Sequence, residues 1–87
     1  MSNYYAFVNG KLIAVRTKMV DARLVILNNI FGTMRKGKVC ADPKGKKVLE
    51  HMRCVSSDIR IGGRCPIQAR KEGTDKWRDV TADGTIC

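Results

Sequence analysis

The stretch MRKGKVCADPKGKKVLEHMRC, residues 34–54, holds seven of the chain's seventeen Lys and Arg against Asp42 and Glu50 alone. Arg35, Lys36 and Lys38 precede Cys40, and Lys44, Lys46 and Lys47 follow Pro43. Ammonium and guanidinium groups at this density suit phosphate oxygens. The plain alternative is a solvated turn that keeps its lysines outside the core. A second set is Arg60, Arg64, Arg70 and Lys71, in a run that no acid interrupts between Asp58 and Glu72. Paired strands at 59–61 and 64–70 would put Arg60, Arg64 and Arg70 on one outer face, where Arg serves both phosphate contact and base stacking. Edge protection by charge is the competing explanation.

Catalysis has little to work with. General acid–base chemistry near neutral pH calls for a His, or for a carboxylate or Lys with a shifted pKa. His51 is the one histidine. With Lys46, Lys47, Glu50 and Arg53 beside it, it has the parts of an RNA-cleaving site, but a lone His on a charged segment is more often simply solvated. No nucleophile elbow, zinc-protease helix or P-loop motif occurs. The expectation is a protein that is not an enzyme and holds no cofactor. Cys40, Cys54, Cys65 and Cys87 form no C-x-x-C pair. They read as small hydrophobes with free thiols, with a disulfide or metal role as the alternative. Among the aromatics, Phe7 and Phe31 read as core, while Tyr4, Tyr5 and Trp77 are candidates for stacking.

The elements that must position these groups follow from turn chemistry and periodicity. Asn9-Gly10 between apolar segments predicts a hairpin of strands at 3–8 and 11–16, with Tyr5, Phe7, Leu12 and Ala14 on one face. A helix is predicted over 18–31, capped by Thr17 and closed by Gly32, with a stripe of Val20, Leu24, Leu27, Ile30 and Phe31. LVIL at 24–27 would also fit a strand. Residues 33–41 read as a strand, and Asp42-Pro43 as the start of a second helix at 43–54, its stripe being Val48, Leu49, Met52 and Val55. Gly62-Gly63 predicts another hairpin, Pro66 an edge strand, and 76–81 a last strand before a turn at Ala82-Asp83-Gly84. The fold class is α+β: an antiparallel sheet of hairpins with one or two helices packed on one face.

Eighty-seven residues make a single small domain. Such a chain buries roughly 60–65% of its unfolded surface, so association into a homo-oligomer would help it. The net charge of +9 is the strongest departure from ordinary composition. It points to nucleic acid, an anionic membrane or an acidic protein. A membrane partner is disfavoured, because the cationic segments lack Trp or Phe wedges and no apolar run is long enough to span a bilayer. The start, MSNYYAFVNGKLIAV, lacks a basic region followed by a long apolar run, which leads to an expected cytoplasmic location.

VCADPKGKKVLEHM resembles the junction of the third strand and the C-terminal helix in chemokines, over about fourteen residues. The chemokine pattern departs elsewhere: no cysteine precedes Cys40, and Lys47 stands at the usual Trp. The resemblance implies a strand–Asp-Pro–helix turn and no shared ancestry. In size and charge the chain is similar to the small basic inhibitors with which bacteriophages disarm host defence, the T4-type antitoxins among them. That resemblance implies RNA binding combined with restraint of a host protein such as a ribonuclease. Two alternatives stand beside it: a protein-only inhibitor seated in an acidic or nucleic-acid-binding groove, and a small ribonuclease using His51. The leading expectation is a basic surface that contacts RNA, favoured over DNA, through its phosphate backbone.

Overall fold

In the computed structural model, residues 3–33, 35–55 and 66–86 are described. The Asn9-Gly10 turn takes φ of 52° and 80°, the left-handed pair that a type I′ hairpin needs. It joins β1 (Tyr4–Val8) to β2 (Lys11–Arg16). A bulge interrupts this pair: Ala6 faces Ala14 and Phe7 faces Leu12, so Ile13 has no partner. The bulge separates the residues expected to share a face. Ala14 stays with Ala6 against the core, and Leu12 stays with Phe7 on the other side.

Helix α1 spans Met19–Ile30. Its N-cap is Lys18, which makes no side-chain capping bond, so Thr17 lies one residue too early to act as the cap. Asp21 supplies a negative charge in the first turn. Gly32, at φ 74°, lets the chain leave the helix as expected. The buried stripe is Ala22, Ile26, Leu27 and Ile30. Val20, Leu24 and Phe31, expected in that stripe, are half-buried on its flanks. The helix is turned so that Ile26 meets the sheet at Gly37, where a Cβ would come within 2.2 Å of Ile26 Cγ2.

The remaining strands are β3 (Lys36–Cys40), β4 (Val48–Cys54), β5 (Ile67–Lys71) and β6 (Arg78–Val80). The sheet is antiparallel in the order β2-β1-β3-β4-β5-β6. The fold is α+β, and among the described residues one helix, α1, packs on one face. The helix predicted over 43–54 is instead a loop and strand β4. Asp42 does accept backbone N–H bonds, but from Lys46 at 3.1 Å and Lys47 at 2.7 Å. Together with Ala41 N–H donating to the Lys47 carbonyl at 2.8 Å, these bonds close a tight loop rather than start a helix. The N–H of Lys47 is the main reason the Asp42 carboxyl titrates below the usual carboxylate range. Gly45, at φ 75°, turns the chain back. Beyond it Glu50, Met52 and Cys54 alternate inward.

Pro66 precedes β5, and β5 lies between β4 and β6, so the proline does not mark an edge. Its carbonyl accepts the Val55 N–H at 2.9 Å. The final strand is shorter than the predicted 76–81, with Trp77 just ahead of it. The turn at 82–84 is present, and Ile86 bridges back to Val80. The predicted strand at 59–61 and the Gly62-Gly63 turn lie outside the described residues. Cys40 and Cys54 are both buried, Cys40 as a free thiol, and burial pushes the Cys40 thiol up. Cys65 and Cys87 lie outside the described residues. Among the described residues no helix is long and apolar enough to cross a membrane.

One charged pair sits between the helix and the sheet. Arg23 donates from Nε and Nη2 to both carboxylate oxygens of Glu50, at 2.7 and 2.8 Å, and from Nη1 to the Gly84 carbonyl at 3.3 Å. Glu50 is only 2% exposed. Arg23→Ala leaves this carboxylate without its counter-charge and is expected to cost about 3–5 kcal/mol in chemical denaturation. Gly37→Ala forces a methyl against Ile26, and the same measurement should read a loss of about 1–3 kcal/mol. A Gly37→Ala protein as stable as wild type would contradict the close helix–sheet contact.

Candidate nucleic-acid interface

Strand alternation sorts the cations between the two faces of the sheet. On the face away from α1, register aligns Phe7, Lys38, His51 and Arg70 across β1, β3, β4 and β5. The neighbouring row runs Lys36, Arg53, Gln68 and Asp79 across β3 to β6. With strands about 4.8 Å apart, these rows set four cations on one side of three adjacent strands. The loop after β3 closes over the same side. Gly45 rests on the Phe7 ring, 3.4 Å from Cζ to the position of a Cβ. Lys44, Lys46 and Lys47 on that loop are all exposed.

The centre of this face is organised by polar contacts. Arg53 lies 3.9 Å over the centroid of the Trp77 ring, and Arg70 lies 5.3 Å from it. Arg53 also donates to Gln68 Oε1 from Nε and Nη2, at 3.2 and 2.9 Å, and Gln68 donates to Asp79 Oδ1 at 3.4 Å. Arg70 donates to the Thr74 carbonyl at 2.6 Å. His51 Nε2 meets Glu72 Oε2 at 3.0 Å. The hydrogen bond from His51 is the chief cause that holds the Glu72 carboxyl below its usual range. Among the described residues Arg23 pairs with Glu50 and His51 with Glu72, and neither pair engages Lys36, Lys38, Arg53, Arg70 or the loop lysines.

Of the ten basic residues expected to form a site, six come together here: Lys36, Lys38, Lys44, Lys46, Lys47 and Arg70. Arg35 is exposed at the edge of the array, where it borders a shallow depression of about 360 Å³ with Lys36 and Arg53. Lys71 is on the opposite face, across from Glu50, because neighbouring residues in a strand alternate. Arg60 and Arg64 lie outside the described residues. Arg53 was not among the expected site residues. Its place follows from strand alternation in VLEHMRC, which puts His51 and Arg53 on one side. Of the stacking candidates, Tyr4 packs against the core cluster. Tyr5 faces outward across from Cys40, and Trp77 joins the arginines.

No family model, curated protein or solved structure matches this chain.

The hydrogen bond from His51 favours the ionised form of Glu72. His51→Ala should therefore return the Glu72 titration toward the ordinary glutamate value in a carboxyl NMR titration. In the wild type, whatever stability this contact adds is present above the ordinary glutamate pKa and fades as pH falls through the depressed one. An unchanged Glu72 titration in the variant would dismiss the contact.

Proposed function

We propose that this chain is a non-catalytic RNA-binding protein whose outer sheet face and β3–β4 loop hold the phosphate backbone. The observation that carries the reading is the convergence of Lys36, Lys38, Arg53 and Arg70 on one face with the exposed lysines 44, 46 and 47 beside them. A cationic face of this kind attracts polyanions without regard to sequence. Trp77 and Tyr5 offer π-surface at its two ends. Single-stranded RNA is preferred over duplex DNA because the cations lie on a sheet face and its loop rather than on a helix shaped for a major groove. The likeness in size and charge to small phage inhibitors extends the reading to a host protein, such as a ribonuclease, engaged through the same face in a cytoplasmic setting.

The reading to set against this one is a small ribonuclease. It is favoured by the His51–Glu72 pair, which lies between Lys38 and Arg70 in the sheet register. A proton acceptor flanked by two cations has the composition needed to deprotonate a 2′-hydroxyl beside a phosphate.

Fluorescence anisotropy with a labelled 5′-hydroxyl RNA strand and a DNA duplex, at two salt concentrations, tests both. Six phosphate contacts predict a log–log salt slope of about −4 for the single strand. The double variant Lys38→Glu and Arg70→Glu should weaken binding at least tenfold. Lys71→Glu reverses a charge on the opposite face and should leave affinity near wild type. Absence of binding at low salt, or equal effects from both faces, would refute the interface. Gel analysis of the same RNA decides on cleavage: shortened strands that vanish in His51→Ala would establish the ribonuclease.

A further inference from the structure

The helix side of the sheet carries a second feature, independent of the outer face. A helix about 10 Å across cannot cover six strands. Helix α1 packs on β1 to β4, and although Ile67, Ala69 and Val80 of β5 and β6 are buried in the core, Lys71 and Arg78 at the margin of these strands stay exposed. Between this margin and α1 lies a cleft of about 570 Å³. Alternation in β5 directs Ala69 and Lys71 into it, and the C-terminal strand with the residues before it directs Lys76 and Arg78. Ile86 closes one wall, held there by its bridge to Val80.

The electrostatics of this cleft are one-sided. Its single carboxylate, Glu50, is already matched by the Arg23 fork. Among the described residues no ion pair engages Lys71, Lys76 or Arg78. Three cations thus surround a concave space whose one lining carboxylate, Glu50, is already neutralised by Arg23. Low-dielectric walls focus such a field and raise the local concentration of anions. The volume lies within the range of small-molecule sites, about 300–1,000 Å³. Half-buried Ile86 adds an apolar wall beside the charges. A dianion attached to a flat apolar body fits this combination.

We propose that the cleft binds a phosphomonoester of nucleotide size, its phosphate held by Lys71, Lys76 and Arg78 and its body laid against Ile86. Arg23 is preset at the rear by Glu50. The phosphate belongs either to a free nucleotide or to the 5′ end of a nucleic-acid strand. Both present the same group.

Isotope-labelled full-length protein, titrated with adenosine 5′-monophosphate, inorganic phosphate and adenosine, tests the site by NMR. The Ile86 methyl and Arg23 Nε–H resonances should shift saturably with the monophosphate and stay in place with adenosine. Lys71→Glu combined with Arg78→Glu should weaken this binding at least tenfold while circular dichroism remains native. Lys38→Glu combined with Arg70→Glu should leave it unchanged, which separates this cleft from the RNA face. A 5′-phosphorylated trinucleotide that binds tighter than both the free monophosphate and its 5′-hydroxyl counterpart assigns the ligand to strand ends. The reverse order assigns it to free nucleotides. Unmoved Ile86 and Arg23 resonances, equal shifts with adenosine, or full affinity in the Lys71/Arg78 variant would overturn the proposal.

Discussion

The Arg23–Glu50 pair decides which side of the sheet becomes interior. A carboxylate this deeply buried is tolerated only with a fixed counter-charge and filled hydrogen bonds. Arg23 supplies both, and its remaining guanidinium nitrogen reaches the Gly84 carbonyl. One side chain therefore ties α1 to β4 and to the C-terminal turn. Once Glu50 points toward the helix, Met52 and Cys54 must follow it inward, and His51 and Arg53 must face the other way. The cationic outer face is in this sense the complement of a buried ion pair.

Topology then concentrates the charge. Strands β2 and β3 run in the same direction on either side of β1, joined through α1. This arrangement moves the Lys-rich β3 from the sheet edge to its middle. From there β3, β4 and β5 lie side by side, and basic residues far apart in the chain become cross-strand neighbours. On the helix side, Arg23 of α1, the charged ends of β5 and β6 and Ile86 border a cleft as well. The two faces therefore offer different geometries: a broad open array on one and a partly open cleft on the other.

The parts of this fold that are legible in the sequence are those set by local chemistry. Asn9-Gly10 accepts positive φ wherever it stands, and the first helix is long enough for its periodicity to count. Segment 48–54 is not legible in the same way. Val48, Leu49, Met52 and Val55 satisfy a helical period, while Val48, Glu50, Met52 and Cys54 satisfy a strand only if a glutamate belongs inside. That condition is met by Arg23, twenty-seven residues away. The candidate site divides along the same line. The clusters at 35–38 and 44–47 are visible as composition, but their union with Arg53 and Arg70 depends on sheet register. Arg70 and Lys71 look like one basic unit in the chain and end on opposite faces.

The guanidinium of Arg53 already occupies the π-cloud of Trp77. Under the proposed reading, a nucleobase arriving on that side of Trp77 meets a ring face already covered. It must either displace the arginine or lie on the guanidinium plane itself, extending a stack that exists beforehand. The first route exchanges one contact for another and gains little net free energy. The second retains the cation–π contact and keeps the positive charge near the sugar–phosphate chain. Under the proposed RNA-binding reading, a preassembled stack of this kind would give a shallow, quickly reversible grip.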